Sequence, residues 1–310
     1  MKHKILMLCQ LMEKYECVLD QKYSLIRALS DQEHAALSSN DLNECEVVVT
    51  SGGHGLERSL MDKLPNLSLI AVNGVGVDKI DLEEAARRNI KISTTDDVLT
   101  DSVADLAIGL ILSITRHLVT ADRFVRNGRW INNSFPVLGY SLAGRKVGIL
   151  GLGKIGTAIA QRLTAFGAKV SYHNRRPRID CDFSYFSTLE ELAKDSDILV
   201  VAAAGGTSSQ GVVSKSVLSA LGPEGYLINV ARGSVVDELA MISLLKNGML
   251  AGAGLDVFNN EPEIDEQLLR LQNVVLVPHL GSATSEARHA MASIVVNSVA
   301  KYFGDELWSE

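Results

Sequence analysis

A chain of 310 residues with 46% apolar and 22% charged residues is long enough to bury the cores of two globular domains. Its formal net charge of -7 argues against nucleic acid or an anionic membrane surface as the main partner. Cys9, Cys17, Cys45 and Cys181 show neither CxxC nor zinc-ligand spacing, and no leader-like or membrane-length apolar run stands out, so a reducing, cytoplasmic protein with no metal site is expected.

In the first hundred residues short apolar runs alternate with amphipathic stretches. Residues 5–8 predict a strand, 23–37 a helix and 47–50 a second strand; 69–72 and 90–93 predict two more strands around a helix over 82–88. That is the rhythm of a parallel α/β layer. Two glycine-bearing loops follow predicted strands, where open parallel sheets place ligands. In Ser51-Gly52-Gly53-His54-Gly55, His54 is either a substrate contact or a solvent-exposed loop histidine. In Asn73-Gly74-Val75-Gly76-Val77-Asp78, the N–H groups of Gly74, Val75 and Gly76 could hold a carboxylate, although a plain tight turn fits the same residues.

Residues 101–118 predict a strongly apolar helix, capped by Thr100 or Asp101 and packed between domains or subunits. Residues 127–141, with Trp130, Phe135, Pro136 and Tyr140, read as an irregular connection. An apolar strand over 147–150 then enters Gly151-Leu152-Gly153-Lys154-Ile155-Gly156, followed by a helix-like run to Phe166. In that setting the three glycines give a tight turn, close backbone approach to a pyrophosphate and close packing of helix on strand. The helix N-terminus offers free N–H groups to phosphates. All six residues of the turn are therefore candidates to hold a dinucleotide.

Strands over 169–172, 198–203, 226–230, 251–257 and 274–277 alternate with helices over 188–194, 214–220 and 238–246, and a last helix over 285–303 bridges back to the first half. The expected fold is α/β: two doubly wound parallel-sheet domains, one Rossmann-type and one flavodoxin-like, with a cleft between them that closes on substrate. The expected boundaries are 101–282 for the dinucleotide-binding domain, and 1–100 plus 283–310 for a discontinuous substrate-binding domain.

About 20 residues past the glycines, where NAD-specific proteins place an acid on the adenosine ribose, the chain reads His173-Asn174-Arg175-Arg176-Pro177-Arg178. No acid repels a phosphate here, and Arg175 and Arg176 could grip one with forked, charge-assisted hydrogen bonds. NADP is therefore favoured over NAD, with Asn174 in the same site; a solvated basic turn is the bland alternative. Further on, Arg232, Glu261 and His279 each follow a predicted strand. They suit an anion holder, an acid and a proton carrier: arginine for the carboxylate or carbonyl of a 2-oxo acid, histidine to protonate the new alcohol, and glutamate to favour the imidazolium and so raise the histidine pKa. Singly, each could be structural.

The chain resembles the D-isomer-specific 2-hydroxyacid dehydrogenases over nearly its whole length. The motifs that carry the resemblance are Val75-Gly76-Val77-Asp78, Val103-Ala104-Asp105-Leu106-Ala107, Gly128-Arg129-Trp130, the glycine turn 151–156, Asn229-Val230-Ala231-Arg232-Gly233, Gly254-Leu255-Asp256-Val257-Phe258, Glu261-Pro262 and Pro278-His279-Leu280-Gly281. Within the family it is most similar to NADP-preferring glyoxylate, hydroxypyruvate and hydroxyphenylpyruvate reductases. The resemblance implies a catalytic set of Arg232, Glu261 and His279. It also implies cofactor contacts from Ala203, Val230, Ala231, Arg232, Asp256, His279 and Gly281, a substrate carboxylate held by the Val75 and Gly76 amides together with Arg232, and a homodimer. Ala202-Ala203-Ala204-Gly205-Gly206 departs from the commoner family pattern with a proline near this point, which puts that loop's adenosine contact in doubt. The expected activity is NAD(P)H-dependent reduction of a small 2-oxo acid to the D-2-hydroxy acid. Competing readings are an NAD-linked D-lactate or phosphoglycerate dehydrogenase and a non-enzymatic, corepressor-like nucleotide sensor.

Overall fold

The computed structural model describes residues 2–308. The chain forms two compact units, Met1–Leu99 with Thr284–Glu310, and Thr100–Ala283; residues 1, 309 and 310, which the expected boundaries place in the first domain, lie outside the described residues.

The first unit is a parallel sheet of β1 (Lys4–Met7), β2 (Ser24–Arg27), β3 (Cys45–Ser51), β4 (Leu69–Asn73) and β5 (Lys91–Ser93), in the order β2-β1-β3-β4-β5. Successive side chains of a strand face opposite ways, and both faces are covered. Ile5, Met7, Val47 and Val49 pack with Tyr15 and Leu19 of the helix Glu13–Lys22 and with Val295, Val296 and Val299 of the helix Ser285–Phe303. Leu6, Val48, Ile70 and Val72 pack the other way, against Met61, Leu64 and Ala85. That double burial is why the strands read as continuous apolar runs.

One expectation fails here. Residues 23–37 are not a helix: the helix is Glu13–Lys22, and the stretch holds β2 and a short helix Asp31–Ala36. The earlier helix buries only Tyr15 and Leu19, a stripe too sparse to show as a helical period. Ser30 accepts from the Glu33 N–H while Glu33 reaches back to the Ser30 N–H. This capping box starts a new helix at that point, so none could run through it.

The second unit is a parallel sheet of β6 (Lys146–Leu150), β7 (Lys169–His173), β8 (Ser184–Tyr185), β9 (Ile198–Val201), β10 (Tyr226–Asn229), β11 (Gly252–Leu255) and β12 (Val274–Leu276), ordered β12-β11-β10-β9-β6-β7-β8. The order reverses beside β6, so a crevice opens at the carboxyl ends of β6 and β9. Leu199, Val201, Leu227, Ala253 and Leu255 form one core with Val217, Leu218, Met241 and Leu245.

The apolar helix begins at Thr100 and ends at Thr115, not at Leu118. His117 adopts a left-handed φ of 54°, and a second helix, Leu118–Arg126, leaves at 61°. Within its own unit the first helix packs on β10, β11 and β12. Its Leu110 and Ile114 lie over Gly254 and Gly252, where a side chain on the strand would crowd them. Among the described residues no single helix is long and apolar enough to cross a membrane.

Candidate active site

In the second unit the candidate residues follow the carboxyl ends of β6, β7, β9, β10, β11 and β12. Gly151 has φ +95°, and a Cβ there would lie 2.6 Å from the Ala203 backbone. Gly156 sits so close beneath the turn that a Cβ would fall 2.1 Å from Gly151 O. Beside Gly153, in contrast, nothing lies within 4 Å of where a Cβ would be. A cramped first glycine, an open second and a helix pressed onto the turn by the third are what a pyrophosphate cradle requires. A hollow of about 580 Å³ lies here, lined by Leu152, Gly153, Lys154, Thr157 and Arg178. The residues present therefore fit a dinucleotide. The turn is tied to β7 by Gly151 N–H donating to His173 O (3.0 Å) and Leu152 N–H donating to Asn174 Oδ1 (2.7 Å).

Arg175 and Arg176 are exposed, and among the described residues neither has a hydrogen-bonding or ionic partner. Arg178, quoted from the sequence but given no role, is instead heavily engaged. It donates to Leu152 O (3.0 Å) and Thr157 Oγ1 (2.8 Å) and forks onto both carboxylate oxygens of Asp180.

At the other side of the sheet, His279 Nδ1 lies 2.7 Å from Glu261 Oε2, while Glu261 Oε1 accepts from the Phe258 N–H at 2.9 Å. A carboxylate only accepts, so Nδ1 carries the hydrogen and Nε2 is left for a ligand. Burial pushes the Glu261 carboxyl up, but the hydrogen bonds from His279 and Phe258 and the charges of His279 and Arg232 outweigh it, and the group lies below its ordinary value. His279 itself has φ +51°, a left-handed conformation uncommon for a residue other than glycine and often found at functional sites.

What holds the His279 loop is Asp256, 1% exposed. It accepts from Leu280 N–H (2.5 Å) and Gly281 N–H (2.9 Å), and its own backbone O accepts from His279 N–H (3.0 Å). Burial raises the Asp256 carboxyl above its ordinary value against those donors. Asn229, buried at the end of β10, shapes the neighbouring loop: its Oδ1 accepts from Ala231 N–H and its Nδ2 donates to Arg232 O. Gly233 then packs so tightly that a Cβ would fall 2.0 Å from the Phe258 carbonyl carbon. The loops bearing Val230, Ala231 and Arg232 and bearing Glu261 are thereby locked together. Sequence reasoning missed these roles of Asn229, Gly233 and Phe258, although all three stood inside motifs named above.

In the first unit, the 51–55 and 73–78 loops leave the paired ends of β3 and β4, where Ser51 is in register with Asn73. Exposed His54 lies 3.1 Å from Ser51 Oγ through Nδ1. Lys79 Nζ donates to Gly53 O at 2.6 Å, and Gly74, at φ +157°, would place a Cβ 3.4 Å from Gly52 N. His54, Gly74, Val75 and Gly76 thus share one edge of the five-stranded sheet. Among the described residues no group of three or more His, Cys, Asp or Glu side chains is placed to hold a metal ion.

A glycine cradle at the switch point of a parallel sheet, with a histidine–glutamate pair at the same carboxyl edge, defines a dinucleotide-binding α/β protein. The chain belongs to the D-isomer specific 2-hydroxyacid dehydrogenases: the model of that family's NAD binding domain matches residues 108–281. It is 42% identical over 299 residues to glyoxylate/hydroxypyruvate reductase A of Arabidopsis thaliana, covering 96% of this chain and 95% of that protein. It is 48% identical over 259 residues to the 2-ketogluconate reductase of Gluconobacter oxydans, covering 84% and 83%. Among solved structures, the NADPH-dependent glyoxylate/hydroxypyruvate reductase of Sinorhizobium meliloti, in complex with NADP and malonate, superposes with a TM-score of 0.92 at 43% identity, covering 98% of this chain and 94% of that one.

Proposed function

We propose that the protein reduces a small 2-oxo acid to the D-2-hydroxy acid with NADPH, NADH being a poorer donor. The observation that carries this reading is the 2.7 Å His279–Glu261 hydrogen bond, on the same sheet edge as the glycine cradle. Bound at that cradle, NADPH supplies the hydride that goes to the carbonyl carbon. The remaining chemistry belongs to the chain. Glu261 holds His279 Nδ1–H and so fixes the ring; from that position His279 Nε2–H delivers a proton to the carbonyl oxygen, an effect of general acid catalysis worth about 10²–10⁴-fold. Arg232 pairs with the substrate carboxylate and polarises the carbonyl; His54 and the Gly74, Val75 and Gly76 amides are proposed as further substrate contacts. Gly151 to Gly156, Ala203, Val230, Ala231, Asp256 and Gly281 line the cofactor, and Asn174, Arg175 and Arg176 meet its 2′-phosphate. The unit Thr100–Ala283 is accordingly the dinucleotide-binding domain, and Met1–Leu99 with Thr284–Glu310 the substrate-binding one.

We further propose a homodimer. In the 118–140 segment Leu118, Val125, Trp130, Ile131 and Leu138 are 50–90% exposed, more apolar surface than one short stretch of a monomer ordinarily shows. A cytoplasmic location accords with the four free cysteines. A steady-state assay of glyoxylate, hydroxypyruvate, hydroxyphenylpyruvate and 2-ketogluconate with each nicotinamide cofactor tests the function. Turnover of at least one acid with NADPH preferred is expected; no turnover of any would leave a nucleotide-binding sensor, and preference for NADH would refute the roles of Arg175 and Arg176.

A further inference from the structure

We propose that Arg178 is a positioning residue for cofactor choice: it latches the β7–β8 loop onto the glycine turn, so that Arg175 and Arg176 are held where a 2′-phosphate would lie. The inference deepens the NADPH reading and rests on it.

The three arginines of this loop differ in what they do. Arg175 and Arg176 are exposed, and among the described residues they are unpaired, as befits groups that await an anion. The Arg178 guanidinium is already committed, with its side chain only 29% exposed. One nitrogen bonds Leu152 O inside the glycine turn and Thr157 Oγ1 in the first turn of the following helix. The other two fork onto Asp180, two residues further along its own loop. Its backbone N–H donates to the buried Tyr172 hydroxyl at 2.8 Å. The loop is thus pinned to the glycine turn, to the helix Lys154–Ala165 and to its own strand β7.

Two consequences follow from the chemistry. A guanidinium whose donors are taken by a carbonyl, a hydroxyl and a carboxylate has few left to offer a phosphate, and Asp180 offsets its charge; Arg178 therefore acts through its neighbours. Pro177, between Arg176 and the latch, has a fixed φ, so anchoring Arg178 restricts Arg176 as well. Ordering two long side chains and their loop before binding reduces the entropy that phosphate capture would otherwise cost.

The test measures KM and kcat for NADPH and NADH, with melting temperature, in Arg178→Gln, Arg178→Lys and Thr157→Val, and repeats Arg178→Gln in an Arg175→Ala/Arg176→Ala background. Arg178→Gln should raise KM for NADPH about tenfold, as expected on losing preorganisation of charge-assisted contacts, with a much smaller change in KM for NADH or in kcat. Arg178→Lys should restore part of the effect, because one ammonium reaches some of the acceptors, and Thr157→Val should show a weaker version. In the Arg175→Ala/Arg176→Ala background Arg178→Gln should add almost nothing. An unchanged NADPH-to-NADH ratio in Arg178→Gln, equal losses with both cofactors, or full additivity with the double variant would overturn the latch. If Arg175→Ala/Arg176→Ala itself leaves the NADPH preference intact, the underlying cofactor reading fails instead.

Discussion

Gly153 and Gly156 stand three residues apart in one turn, yet their substitution by alanine should fail in opposite ways. At Gly153 the backbone is extended, with φ −83°, and a Cβ would meet nothing within 4 Å. Gly153 is the N-cap of the helix Lys154–Ala165; alanine in place of glycine there costs up to about 1 kcal/mol. Loss of glycine's freedom in the unfolded chain returns about 0.4–1 kcal/mol, so the two terms nearly cancel. The melting temperature of Gly153→Ala without nucleotide should move by less than about 2 °C. The added methyl instead occupies the approach of the pyrophosphate, and losing one hydrogen bond to a charged group, roughly 1.5–3 kcal/mol, weakens NADPH binding about 10- to 150-fold. At Gly156 a Cβ would lie 2.1 Å from Gly151 O and 3.0 Å from Gly151 C. Neither atom is the end of a flexible side chain, so the helix must lift from the strand. Overpacking of about 1–3 kcal/mol lowers the melting temperature by roughly 2–10 °C, and binding falls as a consequence. Thermal unfolding of both apo variants and NADPH titration by fluorescence separate the cases. If Gly153→Ala melts several degrees low, or binds NADPH as well as the parent, the cradle is wrongly assigned.

His279→Asn should lower kcat at least about a hundredfold, the lower end for a general acid, with NADPH affinity within a few-fold of the parent; unchanged turnover would remove His279 from the chemistry. Glu261→Gln presents one acceptor where the parent presents two, so Phe258 N–H or His279 Nδ1–H loses its partner, and kcat should fall by roughly tenfold or more for a lost charged hydrogen bond. The same variant has a stability signature. Because the folded Glu261 carboxyl lies below its ordinary value of 4.5, its contribution is present above the unfolded value and lost as pH falls through the folded one. Denaturation curves between neutral pH and pH 3 should therefore show a smaller loss for Glu261→Gln than for the parent, and an equal or steeper loss would contradict the sign. Ile131→Asp with Leu138→Asp, at side chains 84% and 90% exposed, should barely change the stability of a single chain yet shift sedimentation from dimer to monomer. A parent that already sediments as a monomer would dispose of the proposed dimer.

Much of the second unit was legible in the sequence because its chemistry is carried by strand ends. In a parallel sheet the ligand side is the carboxyl edge, so Gly151, Arg232, Glu261 and His279 could be assigned to one edge from apolar runs alone. Contacts between loops could not. Arg178 meets Leu152 and Thr157 across 26 and 21 residues, a distance bridged only by the pairing of β6 with β7. The first unit hid a helix whose buried stripe is two residues, although Ser30 and Glu33 carried a readable cap.

The Glu261–His279 pair shows most directly what pattern alone leaves open. β11 and β12 pair Ala253 with Val274 and Leu255 with Leu276, a constant offset of 21, whereas Glu261 and His279 are 18 apart. Extended strands would therefore carry Glu261 three positions beyond its partner. The loop has to fold back by that amount, and the Phe258 N–H bond to Glu261 Oε1, spanning three residues, closes such a turn. On the other side, Asp256 and the left-handed backbone of His279 stop the facing loop from extending. The 2.7 Å contact thus depends on two turns, each held by a carboxylate on backbone N–H groups, as much as on the two residue types that the sequence displays.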